Sequence, residues 1–130
     1  MYLRYFGIRV TNLDRSLEFY TDLLGLKEVG RGNMSEYGGG RGDWVLLEDG
    51  ASGQRLELNA YPEGSRWHSP YEPGEGLDHV GFVVDDVHAA YRELVAGGAA
   101  PTEIDPASTQ GHQAFVTDPD GNWIELFLHD

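Results

Sequence analysis

An internal repeat is the feature of this sequence that most constrains its fold. With an offset of 74 residues, Gly7 corresponds to Gly81, and with an offset of 68 residues, Glu57 corresponds to Glu125. The two offsets differ by six residues, so the loops and strands between the matching segments differ in length. The sequence therefore predicts two copies of one supersecondary unit, joined by a connection.

The first copy is predicted to contain a strand, a helix and three further strands. Apolar and polar residues alternate over residues 5–10, as in a half-buried strand, and Asn12 is a favourable residue for the start of a helix. The helix is predicted to end before Gly25, which is followed by a short strand at 27–31 and a β-hairpin at 44–59.

The second copy repeats this order. Alternation over residues 79–84 predicts a strand, and Asp86 is the expected N-cap of the following helix. A short strand is predicted at Thr102–Ile104, and a hairpin is predicted over residues 112–129 because its turn has the sequence DPDG.

We therefore expect an α+β fold in which two βαβββ modules form one curved, eight-stranded mixed sheet with the helices on its outer face. A single domain is predicted for residues 1–130, with the first module at about 1–60 and the second at about 77–130. The connection at 61–76 is long for a compact domain and carries Tyr61, Trp67 and Tyr71, so it is a candidate cover for a pocket.

Composition excludes several classes of function. The chain has 130 residues and no cysteine, which removes disulfides, thiolate metal ligands and cysteine nucleophiles. The formal net charge of −13 disfavours binding to nucleic acid or to an anionic membrane surface. Because the sequence shows neither a membrane-spanning apolar run nor a signal-peptide pattern, a soluble cytoplasmic protein is expected.

Four polar positions, matched by the repeat, lie on the strand faces opposite the apolar residues. They are Tyr5, Glu57, His79 and Glu125. Taken singly, Tyr5 is typical of strand packing, Glu57 of a solvated position and His79 of a hydrogen-bonded core residue. Glu125 is harder to explain in this way, because its same-face neighbours Trp123 and Phe127 are large and apolar.

One histidine and two carboxylates form a ligand set that suits Zn, Ni, Co, Mn or Fe(II). The sequence thus predicts one divalent metal ion held by Glu57, His79 and Glu125, without specifying which metal. Such an ion polarises substrate oxygens and stabilises an enolate or enediolate, while an adjacent carboxylate transfers the proton.

The segments IRVTNLDRSLEFYTDLLG, GQRLELN, GLDHVGFVVDDV and DPDGNWIELF resemble the vicinal oxygen chelate family. This family includes lactoylglutathione lyase, methylmalonyl-CoA epimerase, extradiol dioxygenases, fosfomycin resistance enzymes and bleomycin-binding proteins. The resemblance covers nearly the whole chain and is closest to the single-domain lyase-like members. It implies a small-molecule substrate and a homodimer, in which the two modules of each metal site come from one chain or from two.

The resemblance also assigns roles to individual residues. Glu57, His79 and Glu125 match three ligand positions of the lyase-like members, and Glu125 matches their proton-transferring base as well. Arg9 matches an arginine that holds a carboxylate of glutathione, whereas Tyr61 replaces a glutathione-contacting asparagine and Glu75 replaces a basic residue. We expect the substrate to contact a set of residues on the polar strand faces and the connection: Arg9, Asn59, Tyr61, Trp123 and Phe127.

Three functions follow from the resemblance. The first is a glyoxalase-type, metal-dependent lyase or isomerase that acts on a small anionic carbonyl or hydroxy-carbonyl compound. The second is a bleomycin-resistance-like protein that binds a small molecule without metal or catalysis. The third, a group-transfer enzyme like the fosfomycin resistance proteins, requires a second substrate site, and the sequence provides no candidate residues for it.

Tyr5 occupies the fourth ligand position, which is normally His or Gln in the family. A neutral phenol, with a pKa of about 10, is a poor ligand for most divalent ions. We therefore predict that Tyr5 does not coordinate the metal and instead hydrogen-bonds the water or substrate at the open position. A crystal structure with metal tests this, and a tyrosine oxygen within about 2.3 Å of the ion would contradict it.

Overall fold

The computed structural model describes residues 4–33, 41–65, 68–70 and 72–128. The chain divides into two compact units, Met1–Tyr71 and Glu72–Asp130. Each unit has its own sheet and its own buried apolar residues. The single domain and the module boundaries expected from the sequence stay predictions.

The first unit contains four strands and one helix. They are β1 (Phe6–Arg9), α1 (Leu13–Glu18), β2 (Lys27–Asn33), β3 (Asp43–Glu48) and β4 (Arg55–Ala60). Helix α1 continues through Phe19–Leu23 with wider π-helical turns.

Local interactions fix both ends of this helix. Asn12 is the N-cap, and its side-chain oxygen accepts a hydrogen bond of 3.0 Å from the backbone N–H of Arg15. Gly25 follows the helix with a φ of 79°, a left-handed conformation that glycine adopts without a steric penalty. The helix boundaries predicted from the sequence are therefore confirmed, apart from the π-helical turns.

The first sheet has the strand order β1-β4-β3-β2. Strands β1 and β4 are parallel, whereas the other two pairs are antiparallel. In β4, Leu56 and Leu58 are buried, while Glu57 and Asn59 on the opposite face remain partly exposed. Helix α1 contacts β4, so the unit has an apolar core on one face of its sheet and polar side chains on the other.

The second unit also contains four strands and one helix. They are β5 (His79–Val83), α2 (Val87–Ala96), β6 (Ala100–Pro101), β7 (Gln113–Thr117) and β8 (Trp123–Phe127). Asp86 caps α2 by accepting a hydrogen bond of 2.9 Å from the backbone N–H of Ala89.

The turn before β8 is stabilised by a buried carboxylate. Asp118 accepts hydrogen bonds from the backbone N–H groups of Asp120 and Asn122, and from the side-chain amide of Asn122. Gly121 has a φ of 86° and completes the turn. The hairpin predicted from the DPDG sequence is confirmed, and it sets the register of β8 against β7.

The second sheet has the order β5-β8-β7-β6, which matches the topology of the first. Strands β5 and β8 are parallel, and the remaining pairs are antiparallel. Ile124 and Leu126 of β8 are buried, and α2 contacts β7 and β8. The α+β fold with two βαβββ modules, each with its helix packed on its own sheet, is confirmed.

The prediction of one eight-stranded sheet is wrong for the described strands, which form two four-stranded sheets. In each unit the first strand pairs with the last strand of the same unit, so the backbone groups between them are satisfied within the unit. Alternation in the sequence identifies the faces of a strand but not its hydrogen-bonded neighbours.

Two local predictions also require correction. The strand expected at Thr102–Ile104 lies two residues earlier, at Ala100–Pro101. Thr102 instead donates its hydroxyl hydrogen to the carbonyl oxygen of Phe115. Phe6, which the alternation placed on the apolar face, is 58% exposed because it begins a strand at the edge of its sheet.

In the part of the chain that the structure describes, no helix is both long and apolar enough to cross a membrane.

The helix caps Asn12 and Asp86 occupy matching positions in the two units, and their contributions to stability can be measured. Because each side chain satisfies a backbone N–H at a helix start, we expect Asn12→Ala and Asp86→Ala each to lower the free energy of unfolding by about 1 kcal/mol. Urea denaturation measures this change, with Asp85→Ala as the control for loss of an exposed aspartate. Equal stability of Asp86→Ala and Asp85→Ala would contradict the role of the cap.

Candidate metal centre

The second unit brings two of the predicted metal ligands together on one sheet face. His79 is the first residue of β5, and Glu125 lies in the middle of β8. In the parallel register, His79 pairs with Trp123 and Gly81 pairs with Glu125. The two ligand candidates are therefore diagonal neighbours, and His79 Nε2 lies 3.1 Å from Glu125 Oε2.

Gly81 leaves space for the Phe127 ring beside the Glu125 carboxylate. A Cβ atom at this position would lie 3.5 Å from Glu125 Oε2 and 3.1 Å from a ring carbon of Phe127. A longer side chain would compete for the space beside the carboxylate. The glycine that defines the repeat therefore has a packing role in the candidate site.

Both nitrogens of the His79 ring have carboxylate neighbours. Nδ1 lies 2.6 Å from Oδ1 of Asp78, while Nε2 faces Glu125. The ring also meets Phe115 in an edge-to-face arrangement, with centroids 5.6 Å apart and an interplanar angle of 88°. These contacts define both the position and the plane of the imidazole.

Aromatic side chains surround the Glu125 carboxylate. Phe115 is the cross-strand partner of Glu125, is 8% exposed, and packs against Trp123 at a centroid distance of 5.3 Å. Phe127 lies next to Glu125 on the same face of β8, beside Gly81. Glu125 is itself 19% exposed, and its carboxylate faces the His79 ring.

The distance between His79 and Glu125 is compatible with a shared metal ion. Two donor atoms about 2.0–2.2 Å from one ion, at angles of about 90–110°, are separated by about 2.8–3.6 Å. The same 3.1 Å also suits an ion pair with a protonated imidazole. Among the described residues, no group of three or more His, Cys, Asp or Glu side chains lies close enough to hold an ion.

The first unit has an arrangement that matches this one. Glu57 of β4 pairs with Gly7 of β1, just as Glu125 pairs with Gly81. Tyr5 precedes β1 and is 39% exposed. The grouping of Tyr5 and Glu57 with His79 and Glu125 joins residues of the two units and stays a prediction.

Arg9 is held at the end of β1 by residues of the connection. Its Nη1 donates hydrogen bonds to the backbone oxygen and the hydroxyl oxygen of Ser69, at 3.0 and 2.7 Å. Its guanidinium carbon lies 5.2 Å from the centroid of the Tyr61 ring, a cation–π contact. Arg9 Nε is buried and has no hydrogen-bond acceptor among the described residues.

Tyr61 links Arg9 to the polar face of β4. Its hydroxyl donates to the side-chain oxygen of Asn59 at 3.3 Å. Burial raises the pKa of the Tyr61 phenol, the charge of Arg9 opposes this shift, and the charge of Glu57 adds to it. The phenol is therefore a neutral hydrogen-bonding group at physiological pH.

A sequence profile decides the family. The Glyoxalase/Bleomycin resistance protein/Dioxygenase superfamily matches residues 2–126, almost the entire chain. The chain belongs to this superfamily. The resemblance inferred from the sequence motifs is thus confirmed.

Relatives within the superfamily cover most of the chain. A probable lactoylglutathione lyase from Vibrio cholerae is 34% identical over 126 residues, covering 92% of this chain and 84% of the relative. The lactoylglutathione lyase of Haemophilus influenzae is 35% identical over 125 residues, covering 92% of this chain and 86% of the relative. Each match therefore spans most of the relative's length as well.

A solved structure confirms the superfamily fold. The trypanothione-dependent glyoxalase I of Leishmania major superposes with a TM-score of 0.77 at 30% identity, covering 98% of this chain and 87% of that chain. A fosfomycin resistance protein from Listeria monocytogenes, solved in complex with Mn(II) and a sulfate ion, superposes with a TM-score of 0.70 at 15% identity and covers 98% of this chain and 92% of that chain, a likeness of fold.

The structure extends the predicted site by three residues. Phe115 contacts His79, Asp78 is hydrogen-bonded to it, and Ser69 is hydrogen-bonded to Arg9. The position of Phe115 opposite Glu125 follows from the register of the DPDG hairpin and could have been inferred from the sequence. Asp78 could also have been inferred, because it directly precedes His79. Ser69 lies in the connection, where no periodic pattern indicates a contact with Arg9.

Two aromatic residues proposed to cover a pocket, Trp67 and Tyr71, lie outside the described residues.

Proposed function

We propose that this protein is a glyoxalase-type lyase or isomerase that depends on a divalent metal ion. Its substrate is a small anionic carbonyl or hydroxy-carbonyl compound, and the reaction proceeds through an enolate or enediolate. The observation that carries the proposal is the facing pair His79 Nε2 and Glu125 Oε2, in a chain about one-third identical to lactoylglutathione lyases.

The residues proposed to hold the metal are Glu57, His79 and Glu125. Imidazole and carboxylate donors suit Zn, Ni, Co, Mn or Fe(II). When bound, the ion would supply positive charge that lowers the energy of an enediolate. Tyr5 is assigned to the open position, where its hydroxyl orients the bound water or substrate.

Glu125 is the proposed proton-transfer group. Its carboxylate takes the proton from the hydroxyl-bearing carbon next to the substrate carbonyl and returns it to the former carbonyl carbon. The hydroxyl proton moves to the former carbonyl oxygen, so the product is an isomer of the substrate. Phe115, Trp123 and Phe127 supply apolar surface beside the carboxylate.

We assign substrate recognition to residues of both units. Arg9 Nε is buried and has no acceptor within the described part of the chain, which supports binding of a substrate carboxylate. Tyr61 and Asn59 form a hydrogen-bonded pair beside the guanidinium, and Trp123 and Phe127 provide apolar contacts in the second unit. Because Tyr61 replaces a glutathione-contacting asparagine of glyoxalase I and Glu75 replaces a basic residue, the proposed substrates include thiol adducts other than that of glutathione.

A homodimer is proposed for the active form, as the family resemblance implies. The modules that build each metal site would then come from one chain or from two.

Proton transfer provides the test of the proposed reaction. The protein is stripped of metal, reloaded with each candidate divalent ion, and mixed in D₂O with hemithioacetals formed from a 2-oxoaldehyde and either glutathione or a smaller carboxylated thiol. Proton NMR follows formation of the thioester and incorporation of deuterium. We expect turnover in the metal-loaded protein and a loss of at least about 100-fold in Glu125→Gln, because a proton-transfer group contributes this much or more.

Glu103→Gln is the matched control, since it removes an exposed glutamate outside the site. Metal content is measured in every sample, so that loss of a ligand is separated from loss of the base. Unchanged turnover in Glu125→Gln, or no turnover and no deuterium exchange with any metal, would contradict the proposed function.

A further inference from the structure

Asp78 is a carboxylate beside the candidate site to which the proposed reaction assigns no role. It directly precedes β5, and its Oδ1 lies 2.6 Å from Nδ1 of His79, although its side chain is 96% exposed. Neighbouring residues within a strand point to opposite faces, but Asp78 lies outside the strand, and its carboxylate turns back toward the ring.

The two nitrogens of His79 therefore have different partners. A neutral imidazole has one N–H donor and one nitrogen with a free lone pair. The contact to Asp78 is shorter than the 3.1 Å contact to Glu125, so the proton is favoured on Nδ1. Nε2 and Glu125 Oε2 are then two acceptors that face each other at 3.1 Å, an arrangement that a cation between them would stabilise.

Phe115 fixes the remaining freedom of the ring. It packs edge-to-face against the imidazole at 88°, so rotation that exchanges the two nitrogens would disturb a buried aromatic contact. The ring is thus held by Asp78 at one nitrogen and by Phe115 on one side, while Nε2 faces Glu125.

The repeat provides an independent observation. With the offset that aligns Gly7 with Gly81, Tyr5 corresponds to His79 and Arg4 corresponds to Asp78. An acidic residue thus precedes the ligand position only in the copy where that position is a histidine. Only the histidine has an Nδ1 proton to donate.

We propose that Asp78 is a positioning residue for His79: it holds the proton on Nδ1, so that the lone pair of Nε2 is presented to the metal ion. This inference rests on the proposed function, because it requires His79 to be a metal ligand. Carboxylates that bind the distal nitrogen of a ligating histidine commonly raise metal affinity by about 10- to 100-fold. Since Asp78 is exposed and its charge is screened, we expect an effect of about tenfold.

The first measurement is the tautomer of His79 in the metal-free protein. Long-range ¹H–¹⁵N NMR at alkaline pH identifies which ring nitrogen carries a proton, and the His79→Ala spectrum assigns the signals. We expect the proton on Nδ1 in the unsubstituted protein and a shift of population to Nε2 in Asp78→Ala. Asp78→Asn retains an acceptor oxygen and is expected to preserve the Nδ1 form.

The second measurement is Zn²⁺ affinity by competition with a chelator. Asp78→Ala is expected to bind about tenfold more weakly than Asp85→Ala, a control that also removes an exposed aspartate near β5. Asp78→Asn is expected to lie between them. A proton on Nε2 in the unsubstituted protein, or equal affinities of Asp78→Ala and Asp85→Ala, would overturn the positioning role.

Failure of the proposed function has a different signature. If His79→Ala binds Zn²⁺ as tightly as the unsubstituted protein, His79 is not a ligand, and both proposals are overturned. If binding depends on His79 but Asp78→Ala matches Asp85→Ala, only the role of Asp78 is overturned. Circular dichroism and thermal unfolding check that all variants remain folded.

Discussion

Parallel pairing of the first and last strands in each unit is the constraint on which the candidate site depends. Parallel strands require a long crossover, and here a helix and two strands fill it. The pairing places a glycine opposite a glutamate twice, as Gly7 with Glu57 and as Gly81 with Glu125. In the second unit it also brings His79 diagonally toward Glu125, so the register of two strands creates the pair of donors.

Much of the fold is predictable because local chemistry and tertiary packing agree. Asn12 and Asp86 satisfy backbone N–H groups at helix starts, and the DPDG turn fixes a hairpin, so short segments specify their own structure. The orientation of His79 and Glu125 follows from the two-residue period of their strands. Helix caps and strand alternation therefore predict both modules and the shared strand face of His79 and Glu125.

Other features depend on information that periodicity lacks. Alternation does not specify which strand edges pair, which is why one sheet was expected where the described strands form two. Ser69 lies in an irregular connection, and its contact with Arg9 follows from the path of that segment. The contact between Asp78 and His79 depends on the exact residue at which β5 begins, and strand boundaries are the least predictable part of a sequence analysis.

Elemental analysis decides whether His79 is a ligand of a divalent metal ion. The untreated protein and its His79→Ala variant are analysed for metal, with His88→Ala as a control that removes an exposed helical histidine. We expect about one divalent ion per chain in the unsubstituted protein and in His88→Ala, and loss of that ion in His79→Ala. Absence of metal from the unsubstituted protein even after incubation with each candidate ion, or full retention of metal in His79→Ala, would show that His79 is not a metal ligand.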